Sequence, residues 1–203
     1  MEFFTLVVFT TIALFALKWK EERQRIALLG SHLGHYQIEK LMETLAGGYL
    51  RALGEKEPAR REQVWQQLAN SEGQLAAQFS KFAAEFAKVP EPAARVSRLP
   101  IGLPFITQAL PAMTFDMRQA LAIHAAGIAR VAQNAAELSP KAKAFTMSAE
   151  LFLMQHTCHW FCKSKAIASA RVLVRHQTPH TQLVESVSPE TREAYRALTG
   201  GGR

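Results

Sequence analysis

The chain has 203 residues, of which 48% are hydrophobic and 20% are charged, and its formal net charge is +7. This length suits one ordinary domain with an appendage, and the composition excludes an intrinsically disordered chain. The positive charge permits contact with lipid headgroups or nucleic acid. Because the sequence has no dense Lys/Arg run with interleaved aromatic residues, we expect no nucleic-acid binding.

The N-terminal run FFTLVVFTTIALFAL, residues 3–17, contains no charge. As a helix it measures about 22 Å, short of the ~30 Å hydrocarbon layer. Snorkelling by Lys18 and Lys20, with Trp19 at headgroup depth, completes a span. A cleaved signal peptide is disfavoured because no positive charge precedes the run and no small-x-small site follows it. A buried helix of a soluble protein is the remaining alternative.

We therefore predict that residues 1–20 are a single-pass transmembrane anchor that contacts the membrane through residues 3–19. No Lys or Arg precedes the run, whereas basic residues crowd its C-terminal side: Lys18, Lys20, Arg23 and Arg25. The positive-inside rule then leaves the N-terminus outside and the C-terminal domain in the cytoplasm. Two cysteines four positions apart are most simply reduced thiols, which agrees with that side.

The rest of the chain has helical periodicity, and no window alternates with the period of a half-buried strand. We predict an all-α fold in which residues 21–176 form a cytoplasmic bundle of about four long helices. The anchor helix is expected to continue to about Leu53, with a kink or weak point at Gly47-Gly48. Pro58 suits the first position of a second helix that runs to about Lys88.

The second helix carries apolar residues in two rows with a seven-residue period. One row is Trp65, Glu72, Phe79 and Phe86, and the other is Leu68, Leu75 and Phe82. A 3.5-residue repeat is typical of helices that pack along their length in a bundle or coiled coil. A stacking surface for a ligand is the alternative interpretation of its aromatic members.

Residues 89–111 hold five of the nine prolines and cannot form a continuous helix. The segment is nevertheless rich in apolar residues, so we expect an ordered crossover that packs against the bundle or touches the membrane surface. Long connections of this kind are often functional. Four of its apolar residues are our candidate contacts for a protein partner: Leu99, Ile101, Leu103 and Phe105.

A third helix is predicted from about residue 112 to 138, with His124 on its apolar stripe. Ser139 and Pro140 suit the start of a fourth helix, which is expected to run to about Arg175. Residues 177–203 are treated as a C-terminal tail, with a short helical signal at Ser188-Pro189-Glu190 and a frayed end.

The stretch QHTCHWFCKSKA, residues 155–166, places Cys158, His159 and Cys162 within an arc of about 100° on a helix, and turns His156 partly aside. Zinc needs tetrahedral nitrogen and sulfur donors. The chain has no second cysteine pair, so a fourth ligand would come from elsewhere, and the candidates are His124, His32 and His35. The haem-attachment order C-x-x-C-H is absent. The alternative is a buried packing layer.

Residues 144–162 contain a single charged side chain, Glu150, and are long enough for a second membrane span. That alternative is disfavoured by the cost of placing Glu150 and the neighbouring histidines in lipid.

These patterns predict a non-enzymatic, membrane-anchored scaffold or accessory subunit without a cofactor. It would bind a protein partner, or a second copy of itself, at the cytoplasmic face of a membrane. A helical metal- or haem-binding sensor or redox protein, with zinc or haem at Cys158, His159 and Cys162, is the alternative function. A peripheral lipid-binding protein that uses the basic surface and the proline-rich crossover is a third.

Overall fold

The computed structural model describes residues 1–200, except for the side chain of Glu2, and residues 201–203 of the predicted frayed end lie outside it. It is 79% helical, which confirms the all-α prediction. The helices are α1 (Glu2–Leu33), α2 (Ile38–Gly54), α3 (Pro58–Phe86), α4 (Glu91–Ala94), α5 (Ile106–Ala109), α6 (Met117–Ala132), α7 (Pro140–Cys162), α8 (Lys165–His176), α9 (His180–Ser186) and α10 (Pro189–Thr199). Two short strands are β1 (Arg95–Ser97) and β2 (Thr114–Asp116).

Helix α1 is long and apolar enough to cross a membrane, and none of its most apolar stretch is buried. Its large apolar side chains project into open surroundings; Phe3, Phe9 and Phe15 are 80%, 67% and 72% exposed. Contact with the bundle begins only beyond Leu17, where Lys18 and Glu22 approach the loops that surround the end of α7.

The predicted continuation of the first helix to Leu53 is wrong. The chain leaves α1 at Gly34 and re-enters a helix at Ile38. The amide of Tyr36 donates to the Leu33 carbonyl at 3.0 Å and closes a tight turn. Beyond the turn, α2 buries its apolar face against α3.

Helix α2 runs through Gly47 and Gly48 without a break. A Cβ atom at Gly48 would lie 2.3 Å from Cδ2 of Leu68 on α3. A Cβ atom at Gly47 would meet nothing within 4 Å. Gly48 therefore permits close approach of two helices.

The seam predicted on the second helix lies in the core between α2 and α6. Trp65 is half-buried. The other six members of the seam are buried: Leu68, Glu72, Leu75, Phe79, Phe82 and Phe86. Both carboxylate oxygens of Glu72, the acidic residue of the seam, have a partner. The Tyr49 hydroxyl donates to Oε1 at 2.6 Å, and Lys143 forms an ion pair with Oε2. Packing, rather than a ligand surface, accounts for the repeat.

One short strand lies in the crossover and its partner follows directly after it, and the sequence predicted neither. They pair antiparallel, with Val96 opposite Phe115, and both side chains are buried. Asp116, the last residue of β2, caps α6 by accepting the Arg118 amide at 2.9 Å. The third helix therefore spans residues 117–132 rather than 112–138.

The fourth predicted helix is broken after Cys162, where we predicted no break. Helix α7 ends at Cys162, and Ser164 caps α8 by accepting the Ile167 amide at 3.4 Å. Helix α7 is the central helix of the bundle, with Leu151, Leu153 and Phe161 buried. This burial contradicts the alternative that residues 144–162 span a membrane, and among the described residues α1 alone is long and apolar enough to do so.

Residues 177–200, which we treat as a tail in the sequence, contain α9 and α10. Ser188 precedes α10, as its helical signal predicts. Leu183, Val184 and Tyr195 are buried against Leu153 of α7 and Val172 of α8. These residues complete the core.

Candidate functional site

The predicted metal ligands lie in the last two turns of α7. Cys158 is packed against the core, with its Sγ 3.8 Å from Sδ of Met154. Burial raises the pKa of the Cys158 thiol well above its ordinary value, and it raises the pKa of Cys162 to about 11. Because zinc binds thiolates, both thiols are poorly prepared as ligands.

His159 is directed toward a groove between α7 and α8, and its buried Nδ1 has no hydrogen-bond partner. The candidates for a fourth ligand do not complete a site: His124 bonds to Thr157, His32 packs edge-on against Phe86, and His35 is exposed. Within residues 1–200, no group of three His, Cys, Asp or Glu side chains is arranged to hold a metal ion. The geometry therefore lends no support to the zinc or haem prediction.

The structure instead places two buried histidines and the half-buried His180 in contacts that the sequence did not reveal. His156, which the helical wheel turns aside, stacks on His180 with ring centroids 4.0 Å apart, and its Nε2 lies 3.0 Å from the Ser169 hydroxyl. His124 Nε2 lies 2.9 Å from Thr157 Oγ1. His180 follows the predicted helical region, so no local pattern could have paired it with His156.

Burial keeps these imidazoles neutral. Desolvation lowers the pKa of His124 to about 3 and that of His180 to about 4. Desolvation also lowers the pKa of His156, and the positive charge of nearby Lys165 adds to the effect. Neutral side chains enclosed between α6, α7 and α9 are suited to joining helices.

A second buried polar group joins α10 to the bundle. Glu150 Oε1 accepts the Ser188 amide at 3.1 Å and the Ser188 hydroxyl at 2.6 Å, at the N-terminus of α10. A Cβ atom at Gly127 would lie 2.3 Å from Thr191 Oγ1 and 2.5 Å from Glu150 Oε2. Burial raises the pKa of Glu150, although the bonds from Ser188 oppose the rise.

The most developed surface feature is the packing of residues 97–113 beside the end of the apolar part of α1. We call residues 97–113 the juxtamembrane loop. Its course is fixed by backbone bonds: the Trp160 indole donates to Ser97 O at 2.8 Å, and the Ala166 amide donates to Pro100 O at 3.0 Å. The Phe105 amide donates to Glu21 Oε2 at 3.2 Å.

The part of α1 just beyond its apolar stretch is bonded to the C-terminal end of α7. Lys163 Nζ donates to Glu22 Oε2 at 2.5 Å, and Arg25 Nη1 donates to the Phe161 carbonyl at 3.2 Å. Arg25 also pairs with Glu21 at 2.7 Å. The Phe161 carbonyl belongs to the last turn of α7, where a cation is favoured by the helix dipole.

The four predicted partner contacts differ in their exposure. Leu99 is half-buried, and with Ile101 and Leu103 it lines a small cavity of about 30 Å³ beside Trp160. Ile101, Leu103 and Phe105 are exposed. Beside them, a groove of about 380 Å³ separates the juxtamembrane loop from α1.

A second groove, of about 260 Å³, lies on the flank of the bundle between α2, α7 and α8. We call it the flank groove. Helix α2 contributes Glu39, Glu43 and Met42, α7 contributes Phe152, and α8 contributes Arg175. The groove therefore has acidic residues on one side and a basic residue on the other.

Comparison of the chain with protein-family models, with curated proteins and with solved structures finds no match. The function of the protein is therefore inferred from its own geometry.

Proposed function

We propose that the protein is a membrane-anchored helical scaffold or accessory subunit, which holds a protein partner at the cytoplasmic face of a membrane. The observation that carries this proposal is the fully exposed apolar part of α1, joined without a linker to a folded helical bundle. An exposed apolar surface of that size is stable in lipid and is an aggregation hazard in water.

The attachment of the bundle to α1 supports a scaffolding role. Glu22 and Arg25 bond to the end of α7, and Glu21 bonds to the juxtamembrane loop. These three residues occupy the first turns of α1 beyond Trp19. The bundle is therefore held at a defined orientation to the helix axis, as positioning a partner beside a membrane requires.

The placement of the reactive side chains also favours binding over chemistry. His124, His156 and Glu150 are fully buried, and each takes part in bonds between helices. The two thiols have raised pKa values because they are buried. Catalytic acids, bases and nucleophiles need contact with a substrate.

The proposed orientation is tested with two full-length fusions in a bacterial host, carrying a fluorescent protein or alkaline phosphatase at the C-terminus. The exposed Lys20 and Arg23 beside the anchor favour a cytoplasmic bundle. We expect fluorescence from the first fusion and no phosphatase activity from the second. An active phosphatase would place the bundle on the opposite side.

We place the contact with the partner at the flank groove, because its two sides have opposite charge. The occupant would be a protein segment with a basic side chain opposite Glu39 and Glu43 and an acidic one opposite Arg175. Complementary charges at a rim accelerate association and select among partners.

A photo-crosslinking amino acid at Met42 of the full-length protein, irradiated in native membranes, tests this contact. We expect a discrete crosslinked species that is lost with Arg175→Glu. The matched control carries the crosslinker at Glu62, an exposed residue of α3. Identical crosslinked species from positions 42 and 62, or none from position 42, would contradict the assignment.

A further inference from the structure

The juxtamembrane loop exposes an unusual number of large apolar side chains. Five of them are at least 43% exposed: Ile101 (57%), Leu103 (46%), Phe105 (49%), Leu110 (44%) and Met113 (43%). Single exposed apolar residues are ordinary, but a cluster within thirteen positions of the chain marks an interaction surface.

Phe105 is held in a conformation that a solvated loop would not select. Its φ of 58° lies in the left-handed region, which is unfavourable for a residue with a bulky side chain. The bond from its amide to Glu21 fixes this conformation. A glycine would adopt it without strain, so a half-exposed phenylalanine at this position indicates a use for the ring.

The loop lies at the depth where α1 leaves its apolar stretch. A Cβ atom at Gly102 would be 3.6 Å from Cε of Lys18, and the Phe105 amide bonds to Glu21. Lys18 and Glu21 are separated by about 4.5 Å along a helix axis. If Lys18 and Trp19 lie at headgroup depth, the loop that touches Lys18 lies there too.

The charges around the loop favour an anionic membrane surface. The acidic residues of this part of α1 are neutralised, because Glu21 pairs with Arg25, and Glu22 pairs with Lys163. Lys20 and Arg23 remain exposed, and the Arg23 guanidinium lies 4.5 Å from the Trp19 ring. Apolar and aromatic side chains beside basic residues are typical of segments that lie in a membrane interface.

We infer that Ile101, Leu103 and Phe105 insert their side chains into the membrane leaflet that α1 enters at Lys18, as a second lipid contact of the bundle. The inference rests on the proposed function, because it requires α1 to be in a membrane. We assign lipid as the occupant because these side chains are continuous with the exposed apolar surface of α1. Lipid, rather than the protein partner predicted from the sequence, then covers Ile101, Leu103 and Phe105.

Trypsin specificity provides a direct test with the full-length protein. Cleavage after Lys18 releases the anchor peptide 1–18, and cleavage after Arg98 and Arg118 releases the loop peptide 99–118. Cleavage after Lys143 and Lys163 releases peptide 144–163, which is similarly apolar and is mostly buried in the bundle, with Phe145 as its one exposed large apolar side chain. The protein is reconstituted in nanodiscs of equal parts phosphatidylcholine and phosphatidylglycerol, doped with a phosphatidylcholine whose acyl chain carries a diazirine.

After irradiation and digestion, we expect lipid adducts on peptides 1–18 and 99–118 and none on 144–163. Adducts on 1–18 alone would overturn the lipid contact while leaving the anchor intact, and a protein partner would then be the occupant of the loop. Absence of adducts from both 1–18 and 99–118 would overturn the anchor and the lipid contact together. Adducts on 144–163 would overturn the assignment, because they would place the bundle core in lipid.

A pair of matched variants separates insertion from chance proximity. Leu103→Ser combined with Phe105→Ser should reduce the adduct on the loop peptide to the background set by peptide 144–163, and should leave the adduct on 1–18 unchanged. The control replaces two leucines of α2 that are at least as exposed, Leu50→Ser with Leu53→Ser. A loop adduct that persists in the first variant, or that disappears equally in the control, would contradict the inference.

Discussion

Lys163 and Glu22 lie 141 positions apart in the chain, and the Lys163 ammonium donates to the Glu22 carboxylate at 2.5 Å. The pair joins the first residue after α7 to α1, just beyond the helix's apolar stretch. Both side chains are mostly buried, so the interaction is screened less by salt than a surface ion pair. It connects the helix proposed to cross the membrane with the central helix of the bundle.

Removal of the Glu22 charge should loosen this attachment. For Glu22→Gln we expect a loss of about 1 kcal/mol in the free energy of unfolding, because the ammonium of Lys163 loses its partner. Denaturation in detergent, followed by circular dichroism, measures the loss. Glu57→Gln removes the partner of the exposed Arg60 and should change stability by less than about 0.5 kcal/mol. Equal effects of the two substitutions would contradict a special role for the Lys163–Glu22 pair.

Two adjacent glycines of α2 should respond oppositely to alanine. Gly48→Ala places a Cβ atom 2.3 Å from the buried Leu68 side chain and should cost about 1–3 kcal/mol of stability. Gly47→Ala meets nothing within 4 Å and should gain about 0.5–1 kcal/mol, because alanine favours the helix. Urea titrations of the two variants measure both changes in the free energy of unfolding. The packing of α2 on α3 would be misassigned if the two variants changed stability in the same direction.

Burial of neutral His124 should make the protein less stable in acid. The pKa of His124 is lowered to about 3 in the folded state, against about 6.5 when unfolded. The neutral imidazole of His124 therefore keeps the free energy of unfolding at its full value above pH 6.5. This stability is lost as the pH falls below that value. Between pH 7 and pH 5 the loss amounts to about 2 kcal/mol.

The variant His124→Gln isolates this contribution, since a glutamine amide can still bond to Thr157 but does not titrate. The free energy of unfolding of the native protein should fall by about 2 kcal/mol more than that of the variant between pH 7 and pH 5. An identical pH dependence for the two proteins would show that His124 is not buried in its neutral form.

Glu150 should contribute to the pH dependence with the opposite sign. Burial raises the pKa of its carboxyl, so the folded state holds a proton that the unfolded chain releases above its ordinary pKa of about 4.5. The protonated carboxyl of Glu150 therefore adds its full stability to the folded state below pH 4.5. This stability is lost as the pH rises through the pKa of Glu150 in the folded state. Glu150→Gln keeps an acceptor for Ser188 and should gain stability relative to the native protein as the pH rises from 4.5 to 7. A variant that loses relative stability over that range would contradict the raised pKa.

The sequence predicted the parts of the fold that have local signals. Pro58 and Ser139 marked the starts of α3 and α7, Ser188 marked α10, and the seven-residue repeat identified the buried face of α3. Each of these depends on a cap or a period that acts over a few turns of one helix.

The missed features depend on contacts between distant residues or on very short elements. The paired strands have three residues each, too few for a periodic pattern, and are held by the burial of Val96 and Phe115. The break after Cys162 occurs where Lys163 turns toward Glu22, far away in the chain. The network of His156 and His180 likewise joins two helices that only the fold brings together.

The central claim is that α1 anchors the bundle in a membrane, and alkaline carbonate extraction of native membranes tests it most directly. The full-length protein should remain in the membrane pellet after washes with high salt and with carbonate, because the apolar residues 3–17 are held by the hydrocarbon layer rather than by charge. A variant without residues 1–20 serves as the control and should be released by carbonate. Release of the full-length protein into the carbonate supernatant would contradict the account.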